Sequence, residues 1–102
     1  MPFWLVPKIQ QLGINGFQIK DYGGVGFSNL ESGAIYYEMA KHDASVSTFV
    51  LVNNAIGNNV VEALGDEEQK KRILSETIPM DKFICFGLTE PDFGSDATSL
   101  KT

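Results

Sequence analysis

The chain holds a single cysteine, Cys85, and a single histidine, His42. One thiol allows no internal disulfide and no Cys-pair zinc site, and with only one imidazole beside it a structural metal centre is not expected. Basic residues are also scarce: Lys and Arg number 8 against 13 Asp and Glu, a formal net charge of −5. Binding to a phosphate backbone draws on clustered positive charge, so a nucleic-acid partner is not expected. No apolar run is longer than Phe49–Val52, far short of the roughly 18 residues that span a bilayer. None of Asn15, Asn29, Asn53, Asn54, Asn58 and Asn59 has a hydroxyl residue two places on, so no glycosylation sequon is present. Met1-Pro2-Phe3-Trp4 carries no basic stretch of the kind that opens a secretory signal. Together these features set the expectation of a reduced, intracellular setting with no membrane span.

What remains is a globular composition, 43% apolar and 21% charged, in 102 residues. That is enough for one small domain with a limited core. Pro7 suits the first turn of a short helix that carries Ile9 and Leu12 inward and stops at Gly13. The stretch Ile14 to Phe27, with Gly16, Gly23, Gly24 and Gly26, reads as a loop. Ser28-Asn29-Leu30-Glu31 fits a capping box, and Leu30, Ala34, Tyr37 and Met39 or Ala40 then recur at helical spacing to about Lys41. After a break at His42-Asp43-Ala44-Ser45, a buried helix is expected from about Ala44 to Leu64. Its β-branched first half, Val46 to Val52, could on propensity alone form a strand. Gly65 ends it, and Asp66-Glu67-Glu68-Gln69 opens another helix whose later turns hold Lys70, Lys71 and Arg72. Beyond Pro79, Phe83 to Leu88 is the one good strand candidate. A lone strand has unpaired edges, so on physical grounds the sequence reads as part of a longer protein.

Several groups of reactive residues have plain structural readings. His42, Asp43 and Ser45 are the residue types of a triad, but sequence neighbours do not build that relay, and a helix junction accounts for them. Gly23-Gly24-Val25-Gly26 follows no strand and lacks the third spaced glycine of a dinucleotide fingerprint, so it reads as a turn. Tyr36 and Tyr37 read as core or rim aromatics, and Cys85 as a small buried hydrophobe. The informative stretch is Phe86 to Asp96. There a strand delivers its backbone to an edge, Thr89 adds a hydroxyl, Pro91 anchors a turn, and Gly94-Ser95 adds a second hydroxyl with little bulk. Bare N–H groups with two hydroxyls suit a planar heterocycle or a phosphorylated tail. An ordinary strand-to-turn connection accounts for the same residues.

The run Gly87-Leu88-Thr89-Glu90-Pro91-Asp92-Phe93-Gly94-Ser95-Asp96 resembles the first signature of the acyl-CoA dehydrogenase and acyl-CoA oxidase flavoproteins. Upstream, Pro7-Lys8 to Leu12-Gly13, Ile19-Lys20-Asp21-Tyr22-Gly23, Asp43-Ala44-Ser45 and Gly65 to Lys70 resemble the amino-terminal helical domain of that family. Ile-Lys-x-Tyr-Gly and Cys-Phe-Gly-Leu-Thr-Glu-Pro are most similar to the branch holding the glutaryl-CoA dehydrogenases and the plant-type short-chain acyl-CoA oxidases. Where the glutaryl enzymes carry an Arg-Ser pair for the distal carboxylate, this chain has Ser47-Thr48, so a monocarboxylic acyl thioester is expected. The Ser47-Thr48-Phe49 run is closer to the oxidase pattern.

The resemblance implies a mainly α fold: the amino-terminal helical domain over 1–80, then the first strand of the middle β-domain over 81–102. It implies FAD as cofactor, an acyl-CoA substrate, and fatty-acid α,β-dehydrogenation in a homotetramer or homodimer. It places flavin contacts on Phe86, Gly87, Leu88, Thr89, Glu90, Pro91, Asp92, Phe93, Gly94 and Ser95, and substrate contacts on Ser95, Ser47 and Thr48. No catalytic base is expected in this chain: Glu90 reads as structural, Asp96 as a turn or cap residue, and the base lies beyond Thr102. An oxidase implies the peroxisome and a dehydrogenase the mitochondrion. A non-catalytic helical module descended from the family is the alternative from another class.

Overall fold

The computed structural model describes residues 3–102, and they are mostly helical. A short 3-10 turn, Phe3–Leu5, leads into α1 (Val6–Leu12). Pro7 lies in the first turn of α1, and Gly13 closes it in the left-handed conformation at φ 63°. α2 (Asn29–His42) opens on the expected capping box: the Ser28 hydroxyl accepts from Glu31 N–H, and the Glu31 carboxylate accepts from Ser28 N–H at 2.8 Å. Asp43 then terminates α2, its N–H donating to Met39 O, and caps α3 (Ala44–Leu51) by accepting from Ser45 N–H and Val46 N–H. One residue thus sets the α2–α3 corner.

The β-branched stretch after Val46 is helical. The expected helix from Ala44 to Leu64 is continuous, but its middle, Val52–Asn58, is a π-helix between α3 and α4 (Asn59–Leu64). The wider turn is visible where Asn59 N–H donates to Asn54 O. α5 (Glu67–Thr77) begins at the second expected capping box, with Asp66 and Gln69 exchanging bonds of 2.8 and 2.9 Å. α5 runs on to Thr77, so Lys70, Lys71 and Arg72 lie mid-helix instead of against its negative end.

The core is in two small clusters. Ile9, Phe17, Val50 and Met80 form one, and Ile19, Leu74 and Ile78 the other. Phe17 anchors the glycine-rich loop, packing on Tyr36 with ring centroids 5.3 Å apart and accepting at its carbonyl from Phe27 N–H at 2.7 Å. That loop is the expected turn region, with Gly24 N–H donating to Asp21 O at 3.0 Å.

Four expectations are corrected. Leu12 faces out, leaving Ile9 as the buried residue of α1. On α2 the inward face is Ser32 with Ile35, Tyr36 and Met39, while Leu30 and Tyr37 are 84% and 66% exposed. Cys85 is exposed instead of buried. The segment Phe83 to Leu88 forms no strand among the described residues, because a strand exists only through a neighbouring strand that takes up its N–H and C=O groups.

Candidate functional site

The chemistry-bearing stretch leaves α5 through Pro79 and Met80 and runs over the helical layer. Its start is held firmly. Phe83 packs edge-on against Phe49 of α3 with centroids 5.4 Å apart, and Ile84 N–H donates to the Asn53 carboxamide at 3.0 Å. Beyond Ile84 the chain lies open: Cys85, Phe86, Gly87, Leu88 and Thr89 are all exposed. Among the described residues, no hydrogen bond takes up the N–H groups of Phe86, Gly87, Leu88 or Thr89. Cβ atoms at Gly87 and Gly94 would meet nothing within 4 Å. A run of free donors with little bulk in front of it can accept a flat, acceptor-rich ring.

The turn that follows is closed by its own backbone. Glu90 N–H donates to Phe93 O and Phe93 N–H donates to Glu90 O, both at 3.1 Å, with Pro91 and Asp92 at the tip. Gly94 and Ser95 follow, both exposed. Asp96 opens a 3-10 turn, Ala97–Ser99, and accepts from the Thr98 hydroxyl at 2.9 Å. Hydroxyls of Ser99 and Thr98 hold its carboxyl below its ordinary range. The Glu90 carboxylate accepts from the Thr102 hydroxyl and from the N–H groups of Lys101 and Thr102, the latter two at 3.1 Å. These bonds, the Thr102 hydroxyl first, depress its pKa. A carboxylate so engaged is poorly suited to take a proton. The Glu90 backbone closes the turn, and the Asp96 carboxylate is bonded within its own 3-10 turn.

Ser47 and Thr48 lie on α3, away from this turn in sequence and in different settings. Ser47 is buried against α2, its hydroxyl donating to Tyr36 O at 3.1 Å. Thr48 is exposed, with its hydroxyl on Ala44 O at 2.8 Å. Both hydroxyls are satisfied within the helical layer.

A buried amide network lies outside the residues that the sequence singles out. Asn53, Asn54, Gly57 and Asn58 line one face of the π-helix and are all buried. Asn53 Nδ2 donates to Asn15 Oδ1 at 2.8 Å, and Asn15 Nδ2 donates to the carbonyls of Thr77 and Ile78 at 2.7 and 2.9 Å. Asn54 accepts from Gly16 N–H and donates to Ile14 O, and Asn58 accepts from the Thr77 hydroxyl at 2.7 Å. The network ties the glycine-rich loop, the end of α5 and the start of the open segment to one helix. The signal is the pair of doublets Asn53-Asn54 and Asn58-Asn59 inside a largely apolar helical stretch, where buried amides call for partners; among the described residues Asn58 Nδ2 is left without one.

Residues 1–81 match the family described as acyl-CoA dehydrogenase, N-terminal domain. The chain belongs to the acyl-CoA dehydrogenase family. It is 37% identical over 93 residues to isobutyryl-CoA dehydrogenase, mitochondrial, of Dictyostelium discoideum, covering 90% of this chain and 22% of that protein. An acyl-CoA dehydrogenase of Bacillus subtilis is 33% identical over 102 residues, covering 99% of this chain and 27% of that one. Among solved structures, a glutaryl-CoA dehydrogenase from Mycobacterium smegmatis in complex with FADH2 superposes with a TM-score of 0.91 at 32% identity, over 100% of this chain and 26% of the other. This acyl-CoA dehydrogenase family member therefore spans about a quarter of the length of the relatives it matches. Its helices are those of the family's amino-terminal helical domain.

Proposed function

We propose that this chain is the amino-terminal portion of an FAD-dependent oxidoreductase that α,β-dehydrogenates a short acyl-CoA thioester. Residues 1–80 would form its helical layer and 81–102 the entry to a β-domain. The observation that carries this reading is the open run from Phe86 to Ser95, with free N–H groups and two exposed hydroxyls, attached to a helical layer of this family. Bound FAD would accept hydride from the substrate β-carbon. The residues present fit such a group: Thr89 and the N–H groups beside it face solvent and are free to donate to the ring's polar edge, where negative charge gathers on reduction. Ser95, exposed at the far end of the turn, suits the pantetheine or phosphate part of CoA. Glu90, whose carboxylate accepts from Lys101 and Thr102, is given a structural role in this proposal, with the base supplied from beyond Thr102.

The acyl group we propose carries no distal carboxylate, because Ser47 and Thr48 stand where the glutaryl enzymes place a cation and a buried unpaired charge is costly. The relatives reported above carry dehydrogenase names, and the Dictyostelium protein is named mitochondrial. We accordingly favour a mitochondrial dehydrogenase acting as a homo-oligomer. The Ser47-Thr48-Phe49 run favours a second reading, a short-chain oxidase. The decisive experiment uses the product of the complete gene. It should purify yellow, bleach anaerobically with butyryl- or isobutyryl-CoA, respond at least about a hundred-fold less to glutaryl-CoA, and release no hydrogen peroxide in air. Peroxide release would select the oxidase. A product that binds neither FAD nor acyl-CoA would refute the enzyme reading and leave a helical interaction module.

A further inference from the structure

Among the described residues, Asn53 is the one buried side chain that hydrogen-bonds from the helical layer to the backbone of the open segment. It is 1% exposed, and both ends of its amide are used: Nδ2 on Asn15 Oδ1 at 2.8 Å and Oδ1 on Ile84 N–H at 3.0 Å. Its partner Asn15 is itself bonded to two carbonyls at the end of α5. One turn further on, Gly57 presents bare backbone to the Ile84 side chain. A Cβ there would collide with Ile84 Cγ2 and stand 3.2 Å from its Cβ. The π-helix brings both residues to the same face, in keeping with the frequent placement of π turns at functional sites. One residue earlier in the segment, Phe49 and Phe3 hold the Phe83 ring at centroid distances of 5.4 and 6.4 Å. Beyond Ile84, the N–H groups up to Thr89 have no partner among the described residues.

We propose that Asn53, seated by Asn15 and helped by the space that Gly57 leaves, is a positioning residue that sets the register of the backbone entering the Thr89–Ser95 turn. It acts through Ile84 N–H and touches neither flavin nor substrate. A slip of one residue at Ile84 would turn Thr89 to the opposite face of an extended chain. The consequence for flavin rests on the function proposed above; the Asn53–Ile84 contact does not.

Two readouts separate them. In the 102-residue chain, amide hydrogen exchange followed by NMR should find Ile84 about ten-fold or more slower than its unpartnered neighbours Cys85 and Phe86. Asn53→Leu should erase that difference. Thr77→Val, which removes the Thr77–Asn58 bond of the same network, should preserve it. In the complete gene product, Asn53→Leu should weaken FAD binding about ten-fold or more and alter the visible flavin spectrum, while Thr77→Val stays within about two-fold. An Ile84 amide that exchanges as fast as Cys85 in the unaltered chain overturns the proposal, and this holds even if Asn53→Leu does not fold. So does Asn53→Leu with unchanged FAD affinity, or Thr77→Val with an equal loss. A complete product that binds no FAD refutes the functional reading instead, and the exchange ratio then judges Asn53 alone.

Discussion

Gly24 is seated against the carbonyl of Ile19 so closely that a Cβ on Gly24 would collide with that oxygen; it would also stand 2.5 Å from Gly16 O. Both obstacles are backbone, so relief of the clash requires the loop itself to shift. Gly24→Ala should therefore destabilise the chain by about 3 kcal/mol. Gly33, in the exposed interior of α2, is the counter-case, since a Cβ there meets nothing within 4 Å. Gly33→Ala should stabilise by about 0.5–1 kcal/mol, because glycine gives up more backbone freedom in a helix than alanine. Urea midpoints of the two variants should move in opposite directions; movement in the same direction would refute the pair.

Asn54 binds the glycine-rich loop at two backbone points, Gly16 N–H and Ile14 O. Asn54→Leu keeps much of the volume and strands both groups away from water. The expected loss is about 1–3 kcal/mol for each stranded group. Thermal melts with a loss no greater than for an exposed substitution such as Glu62→Gln would show that the loop does not depend on these bonds.

The Glu31 carboxyl is held below its ordinary value of 4.5 by the Ser28 hydroxyl first and the Ser28 N–H second. A depressed carboxyl stabilises the fold above its unfolded pKa, and that stability is lost as pH falls through the folded pKa. Chain stability should thus be level from neutral pH down to about 4.5 and decline below it. Glu90 and Asp96 are shifted the same way and deepen the decline. In Glu31→Gln the capping bond to Ser28 N–H can persist without titrating, so its stability below that pH should fall less steeply. Denaturant midpoints at a series of pH values decide this.

Thr89→Val in the complete gene product keeps the side-chain shape and removes the hydroxyl. A hydrogen bond to a charged acceptor is worth about 1.5–3 kcal/mol, so flavin reduction should slow by about ten- to a hundred-fold. Stopped-flow traces that match the parent enzyme would take Thr89 out of the flavin site.

The caps were legible from sequence because they are local. Ser28 with Glu31, Asp66 with Gln69, and Gly13 each need only residues within one turn, and each stands as expected. The face of α2 was misread because Leu30 and Tyr37 are apolar by type, yet which stripe of a helix is buried depends on what packs on it. Phe83 to Leu88 has strand composition, but pairing belongs to two segments and cannot be read from one. The amide network was illegible for a related reason. Asn53 and Asn15 are 38 residues apart, and an asparagine reads as a loop residue until its partners are known. The signature turn was recognisable by its residues, while the hold that Asn53 takes on Ile84 was not.

Asn15 and Gly16 form an Asn-Gly pair, the dipeptide most prone to spontaneous deamidation, in which the glycine nitrogen attacks the asparagine carboxamide. Here the Gly16 N–H is engaged by Asn54, and the Asn15 carboxamide is bound at both ends by Asn53, Thr77 and Ile78. The same bonds that knit the loop to the π-helix hold back the nucleophile and clamp its target. Deamidation at Asn15 is therefore tied to folding: the side chain is shielded while the network stands and open to attack when it opens.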